Sequence, residues 1–163
     1  MKIEANTDML LFRYRDYGKH DFILSHAEIL QREGHVWFLK IGKRSDLNKI
    51  KRILNAGGWM ILRAPKASGG MGYIAQFCDV SEETPSDHIY PAYYEELLSE
   101  DYDEDFYGMQ PTHQWFKLRM ITEISKEDMS KLVLSQSEKK VDDVIGTTRT
   151  AVMFVKNQRE III

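Results

Sequence analysis

Short apolar runs separated by turn-forming residues predict a chain of strands joined by loops and short helices. Each run has the length of a strand and is rich in β-branched and aromatic residues. The predicted strands cover residues 9–14, 36–41, 59–63, 72–80, 114–121 and 151–155. Gly-rich and Pro-containing segments lie between several of them, and residues 65–70 form a predicted hairpin loop.

Helical periodicity occupies the stretches between these runs. An apolar stripe predicts a helix over residues 21–33 that Gly34 ends. Ser45 is a plausible N-cap for a second helix, and Ser125 with Asp128 resembles a capping box. Pro91 fits the first turn of a further helix. The predicted helices cover residues 21–33, 45–55, 91–98, 126–132 and 137–144.

The order of these elements favours an α+β fold. Strands and helices do not alternate strictly, which argues against a doubly wound parallel sheet. We therefore expect a strongly curved mixed sheet, or a barrel, flanked by short helices. Strand alternation predicts that one of Trp115 and Phe116 faces solvent and that Cys78 is a buried small side chain. The terminal residues 161–163 either form a strand or precede a continuation of the natural polypeptide.

Composition limits the protein class. A chain of 163 residues fits one domain, and its net charge of −3 lacks the basic excess of a non-specific nucleic-acid binder. Much of the acid lies in residues 95–105, so a local basic face is compatible with the sequence. Residues 99–109 are acidic and Tyr-rich and predict an exposed insertion. No apolar run approaches the roughly 20 residues of a membrane span, and we expect a cytoplasmic protein without membrane contact.

The chemistry-bearing residues do not form an enzyme signature. A single cysteine excludes an internal disulfide and a cysteine-based zinc site. The five histidines lack the helical spacing of a metal pair, and His26 lies on the apolar stripe of the first helix as a candidate core residue. No nucleophile elbow or phosphate loop is present. We therefore predict a non-enzymatic recognition module that needs no metal and no cofactor.

The order and type of residues from 36 to 155 resemble the PUA-like superfamily, in particular its EVE and YTH branches. A first strand ends in the aromatic-apolar-Lys sequence of residues 37–40, and a helix follows. Two strands then flank a Gly-rich turn, the second with the sequence of residues 72–77. A strand with an aromatic start and a Thr-Arg-Thr segment before the last strand complete the likeness. Ile41 and Gly42 stand where relatives commonly carry a Ser.

This resemblance implies a single PUA-like domain in which residues 1–35 are an N-terminal strand-helix extension. It implies a nucleic-acid partner, DNA or RNA, in which one modified, methylated base is flipped into an aromatic pocket. EVE-type domains occur in modification-dependent restriction systems of the McrBC type. The resemblance therefore suggests a specificity domain of a defence system, with a nuclease or an AAA+ ATPase subunit as a further partner.

The expected site combines aromatic walls with a basic rim. Tryptophans suit base stacking, although core packing is the alternative for each, and cations near the pocket can position phosphates. A solvated turn is the alternative for Lys43 and Arg44, and a structural salt bridge is the alternative for Arg149. The candidate pocket residues are Trp37, Lys40, Ile41, Gly42, Trp59 and Trp115. The candidate phosphate-binding residues are Lys43, Arg44, Lys117, Arg119 and Arg149.

A second hypothesis comes from a different class of protein. The chain can serve as a protein-interaction or sensor domain of a larger machine, with the acidic Tyr-rich segment as its contact surface. The net negative charge favours this alternative. A basic surface beside an aromatic pocket would discriminate in favour of nucleic-acid binding.

Overall fold

The computed structural model describes residues 1–64, 71–101, 112–148 and 150–163. Within these residues the chain forms nine strands and five helices. The strands are β1 (Lys2–Ile3), β2 (Asp8–Arg13), β3 (Val36–Lys43), β4 (Trp59–Arg63), β5 (Gly72–Ser81), β6 (Thr112–Ile124), β7 (Leu132–Leu134), β8 (Val152–Asn157) and β9 (Ile161–Ile162). The helices are α1 (Phe22–Glu33), α2 (Leu47–Asn55), α3 (Tyr93–Asp101), α4 (Lys126–Met129) and α5 (Val141–Val144).

Seven of the strands form one mixed sheet, which confirms the α+β class. Its order is β3-β6-β5-β4-β2-β8-β7, with β2 and β4 parallel and the other neighbours antiparallel. β1 and β9 pair separately, so two of the three terminal isoleucines, Ile161 and Ile162, form a strand. β2 belongs to residues 1–35, the predicted extension, and it lies inside the sheet between β4 and β8.

The sheet is open, and the expected closure into a barrel is not seen. In the described part of the chain no ladder joins the edge strands β3 and β7. β7 is only three residues long, and the Trp37 N–H of β3 donates to the Ile89 carbonyl, at 2.9 Å, from a segment outside the sheet. Neither edge therefore offers the other a continuous row of free backbone groups.

The two faces of the sheet bury different apolar clusters because successive side chains of a strand point to opposite sides. On the face that α1 and α2 cover, the core includes Phe22, Phe38, Ile50 and Phe116. The opposite face, called the far face below, carries two clusters. The Trp59 cluster is formed by Ile3, Met9, Leu11, Trp59, Ile61, Ile74, Met129, Leu132, Val141, Met153, Val155 and Ile161. The Trp37 cluster is formed by Trp37, Leu39, Tyr90, Tyr93, Tyr94 and Trp115.

Local chemistry sets the helix ends close to the predicted positions. Asp21 caps α1 by accepting from the Leu24 N–H at 2.8 Å, and Gly34 ends it at a φ of +83°. The N-cap of α2 is Asp46, one residue after the predicted Ser45, because its carboxylate accepts from the N–H groups of residues 48 and 49. The Ser125 hydroxyl caps α4 as expected.

Two local predictions were wrong. Cys78 is exposed, because the register of β5 against β6 shifts between residues 76 and 79 and breaks the alternation that would bury it. The helix expected over residues 137–144 is reduced to α5, because β7 continues into a turn closed by the Glu138 N–H bonding to the Leu134 carbonyl.

His26 is fully buried, which confirms its place in the core. Its Nδ1–H donates to the Phe22 carbonyl at 2.6 Å, since that oxygen can only accept, and Nε2 then accepts from the Tyr94 hydroxyl at 2.6 Å. Burial lowers the pKa of His26 to about 4, and the Phe22 hydrogen bond opposes this shift only in part. The imidazole is therefore neutral at pH 7.

This neutral imidazole should make stability depend on pH. Below pH 6.5 His26 in the unfolded chain binds a proton that the folded chain excludes until about pH 4. The His26 contribution is therefore complete above pH 6.5 and is lost as the pH falls. We expect the free energy of unfolding to fall by about 2 kcal/mol from this cause when the pH is lowered from 7.5 to 5. Urea unfolding of the wild type and of His26→Gln at both pH values measures this, and an equal loss in both proteins would contradict it.

Candidate nucleic-acid interface

A strip of the far face between the Trp37 and Trp59 clusters carries polar side chains. It runs over β6 and β5, and we define the basic strip as Gln76, Lys117 and Arg119. Lys117 and Arg119 are half-buried and exposed, respectively. In the register of the sheet Trp37 lies opposite Lys117 on one side, and Trp59 lies opposite Gln76 on the other. Two tryptophans therefore flank a basic surface, and both are themselves largely buried, with Trp37 7% and Trp59 5% exposed.

Trp37 forms one side of this surface. The Lys117 ammonium lies 5.9 Å from the centre of the Trp37 ring, a cation–π geometry. The indole Nε1–H donates to Asp87 Oδ2 at 3.3 Å, and His35 Nε2 lies 3.1 Å from the same oxygen. Partial burial raises the pKa of Asp87, but hydrogen bonds from the Ile89 N–H, His35 and Trp37 outweigh it and hold that pKa below its usual value. The orientation of Trp37 is thus fixed by an ionised carboxylate.

Trp59 forms the other side. Arg119 Nε donates to Gln76 Oε1 at 3.1 Å, and Gln76 Nε2 donates to the Gly57 carbonyl at 2.8 Å. A Cβ at Gly57 would lie 2.6 Å from Trp59 Nε1, so the indole packs where any other residue would carry its side chain. These two hydrogen bonds connect Arg119 through Gln76 to Gly57, the residue against which the Trp59 indole packs.

A carboxylate lies beside the basic strip without forming an ion pair with its cations. Within the described residues, Lys117 and Arg119 form no ion pair. Asp79, which is exposed, lies opposite Lys117 in the register of β5 and β6. Both cations can contact an anionic ligand, with Asp79 as a negative charge next to Lys117.

The end of β3 places the other predicted pocket residues apart from the strip. Lys40 lies two residues after Phe38 and opposite Gln114, on the helix side of the sheet. Its amine is largely buried and donates to the Lys43 carbonyl across the irregular turn at Gly42, whose φ is +99°. Burial lowers the pKa of Lys40 to about 8. Ile41 packs at the edge of the Trp37 cluster.

Arg44 has a structural role in this arrangement. Its Nε donates to the His113 carbonyl at 2.8 Å, and its two terminal nitrogens donate to the carboxylate and the carbonyl of Glu82, each at 2.9 Å. It ties the end of β3 to the start of β6 and to the segment that follows β5. Lys43 is exposed and remains a candidate phosphate contact, whereas Arg149 lies outside the described residues.

Trp115 is buried rather than exposed. Tyr90 packs on it with ring centres 4.9 Å apart, and Tyr94 meets it edge-on at 5.7 Å. Phe116 is buried on the helix side. The expectation that one of the two faces solvent was wrong, because helix α3 and the segment before it cover the far face beside β3.

The structure thus places four predicted residues at the strip: Lys117 and Arg119 in it, and Trp37 and Trp59 on either side. Sequence reasoning missed Gln76 and Asp87. A glutamine between apolar strand residues was the available signal for Gln76, whereas Asp87 lies in a loop without any distinguishing motif.

Among the described residues, no group of three histidine, cysteine or acidic side chains is placed to hold a metal ion. None of the described helices combines the length and apolar character that crossing a bilayer requires. Comparison with known proteins gives no further guidance, since no family model, curated protein or solved structure matches the sequence.

Proposed function

We propose that the protein is a non-enzymatic nucleic-acid-binding module that recognises a modified base flipped out of its strand. The observation that carries this proposal is the basic strip, in which the half-buried Lys117 and the exposed Arg119 lie between Trp37 and Trp59. Aromatic rings beside uncompensated cations are the combination that single-stranded nucleic acid requires, because rings stack with bases and cations hold phosphates.

We further propose that the fold is PUA-like, of the EVE or YTH type, with a curved sheet. Support comes from aromatic packing on the helix face. Phe12 of β2 and Phe38 of β3 have ring centres 4.5 Å apart, although three strands separate β2 from β3 in the sheet. Neighbouring strands lie about 4.8 Å apart, so the four steps would span roughly 19 Å if the sheet were flat. A sheet that curves towards the helices would bring the two rings this close.

Trp37 is the proposed stacking partner of the base. The Lys117 ammonium that now lies over its ring can turn towards a phosphate and leave the indole to the base. Asp87, an ionised acceptor next to the indole nitrogen, suits the amino groups on a base edge. Base stacking is worth about 1–3 kcal/mol, which must offset an unstacking cost of a few kcal/mol. Affinity for unmodified strands should accordingly be weak.

The biological setting follows from the resemblance of the sequence to EVE and YTH domains. In this proposal the protein supplies sequence or modification specificity within a defence system, and a nuclease or an AAA+ ATPase subunit supplies the activity. The modified base is methylated. The partner nucleic acid, DNA or RNA, is decided by the binding assay.

Lys117→Gln should weaken oligonucleotide binding to all sequences alike. A phosphate contact does not distinguish between bases, so the loss of affinity should be the same for all sequences. The slope of log K against log salt concentration should become shallower by about one. Fluorescence anisotropy over a salt series measures both quantities. Lys51→Gln is the matched control, because Lys51 is exposed on α2, on the other face of the sheet. Equal effects of the two substitutions would show that the strip is not the binding surface.

A further inference from the structure

A cleft of about 570 Å³ lies between α2 and strand β8, on the side of the sheet away from the basic strip. We call it the α2–β8 cleft. Helix α2 contributes Lys49 and Arg52, β8 contributes Phe154, and the turn after β7 contributes Ser135 and Ser137. It shares no residue with the basic strip or with the end of β3, so it is an independent feature of the molecule.

Two cations on one helix face dominate the charge of this cleft. Lys49 and Arg52 are three residues apart, which places both on the same side of α2. The Lys49 ammonium lies 5.0 Å from the centre of the Phe154 ring. Within the described residues, neither cation forms an ion pair. The cleft also contains the carboxylate of Asp8, which accepts from the Ser135 hydroxyl at 3.5 Å.

The remaining lining suits a ligand with both an apolar and a polar part. Phe154 and Ile53 supply an apolar floor, and the hydroxyls of Ser135 and Ser137 supply hydrogen-bonding groups at the opposite wall. Pockets for small ligands typically enclose about 300–1,000 Å³. The volume of the α2–β8 cleft falls in that range and exceeds what a bare phosphate ion fills.

We propose that the α2–β8 cleft binds a phosphate-bearing ligand of nucleotide size. Lys49 and Arg52 hold the phosphate, and the sugar and base lie against Phe154 and the serine-bearing turn. The same chemistry is offered by a free nucleotide and by one unit of a nucleic-acid strand. This site is separate from the proposed base-reading surface, so either can exist without the other.

The test is an NMR titration of the full chain, labelled with ¹⁵N, at low salt. The probes are inorganic phosphate, adenosine 5′-monophosphate and a 5′-phosphorylated dinucleotide. Adenosine 5′-monophosphate or the dinucleotide should shift the amide signals of residues 135–137 and 152–154. Lys49→Gln and Arg52→Gln should each weaken that binding about tenfold, the loss expected for one charge-assisted hydrogen bond. Lys51→Gln on the same helix lies outside the cleft lining and should leave the affinity unchanged.

The outcomes separate the ligand sources and the two proposals. Equal affinity for the mononucleotide and the dinucleotide would show that the cleft binds a free nucleotide. Binding of the dinucleotide alone would show that its ligand is part of a nucleic-acid strand. Lys117 does not line the cleft, so Lys117→Gln should leave the shifts of residues 135–137 and 152–154 unchanged, and failure of the base-reading proposal leaves this result intact. Absence of shifts with all three probes, or an equal loss in Lys49→Gln and Lys51→Gln, would overturn the cleft proposal.

Discussion

Replacing Trp115 by alanine is expected to lower the free energy of unfolding by about 3–5 kcal/mol, the range for removing a large buried aromatic. The side chain is only 1% exposed. It packs against Tyr90 and Tyr94, so truncation leaves a cavity that the hydrogen-bonded β3–β6 ladder cannot collapse to fill. The sequence suggested Trp115 as a wall of a base pocket, and its burial makes it a core residue.

Urea denaturation followed by circular dichroism measures this effect. Leu24→Ala is the control, because Leu24 is 57% exposed on α1 and its truncation should change stability by no more than about 0.5 kcal/mol. Trp115→Phe fills part of the space and should lose less, which gives a measurable variant if the alanine protein does not fold. A Trp115→Ala loss as small as that of Leu24→Ala would show that the Trp115 ring is not packed as described.

Gly58→Ala should produce the second largest loss of stability, about 2–4 kcal/mol, from left-handed backbone strain and overpacking together. Gly58 has a φ of +71°, and a Cβ there would lie 2.0 Å from the backbone carbonyl oxygen of Phe77. That backbone cannot move aside easily, because the Phe77 N–H donates to the Gly58 carbonyl at 2.8 Å. The close approach of the two backbones sets the start of β4 and hence the position of Trp59.

Gly34→Ala separates the two causes of this loss. Gly34 also has a positive φ, of +83°, but no atom lies within 4 Å of a Cβ built there. It should therefore cost only the conformational strain, about 1–2 kcal/mol. Thermal unfolding of both variants gives the comparison, and a loss in Gly58→Ala no greater than that in Gly34→Ala would rule out the backbone clash.

The strands could be predicted from the sequence because their apolar runs are bounded by strong turn signals. Gly34 separates α1 from β3, and Gly57–Gly58 separate α2 from β4, close to the boundaries that these glycines predict. The openness of the sheet could not be predicted, because it depends on how the edge strand β3 meets the segment around Ile89, a contact between distant parts of the chain.

Strand alternation gave a wrong prediction of exposure for β6, because the prediction assumed that one face of the strand is solvated. Trp115 and Phe116 point to opposite sides of β6, yet both are buried because tyrosines of α3 and the preceding loop cover the far face. Cys78 is exposed because it lies at a register shift between β5 and β6, which the local sequence pattern does not predict.

The candidate site was only partly visible in the sequence. Trp37, Lys117 and Arg119 could each be recognised as suitable by residue type, but their meeting depends on the register of β3 against β6. Strand alternation separates Lys40 from Trp37, because positions an odd number of residues apart leave β3 on opposite faces. Arg44 was a candidate phosphate contact by type, and only the structure shows that Glu82 and the His113 carbonyl engage it.

Binding of fluorescent oligonucleotides to the wild-type protein tests most directly the central claim, that the protein binds nucleic acid through a modified base. Anisotropy should be recorded with single-stranded and duplex DNA and RNA, each with and without a methylated base, at two salt concentrations. We expect binding at low salt that weakens as salt rises, with a methylated oligonucleotide bound more tightly than its plain counterpart. No binding to any of them at low salt would contradict the claim and leave a protein-interaction or sensor role as the explanation of the molecule.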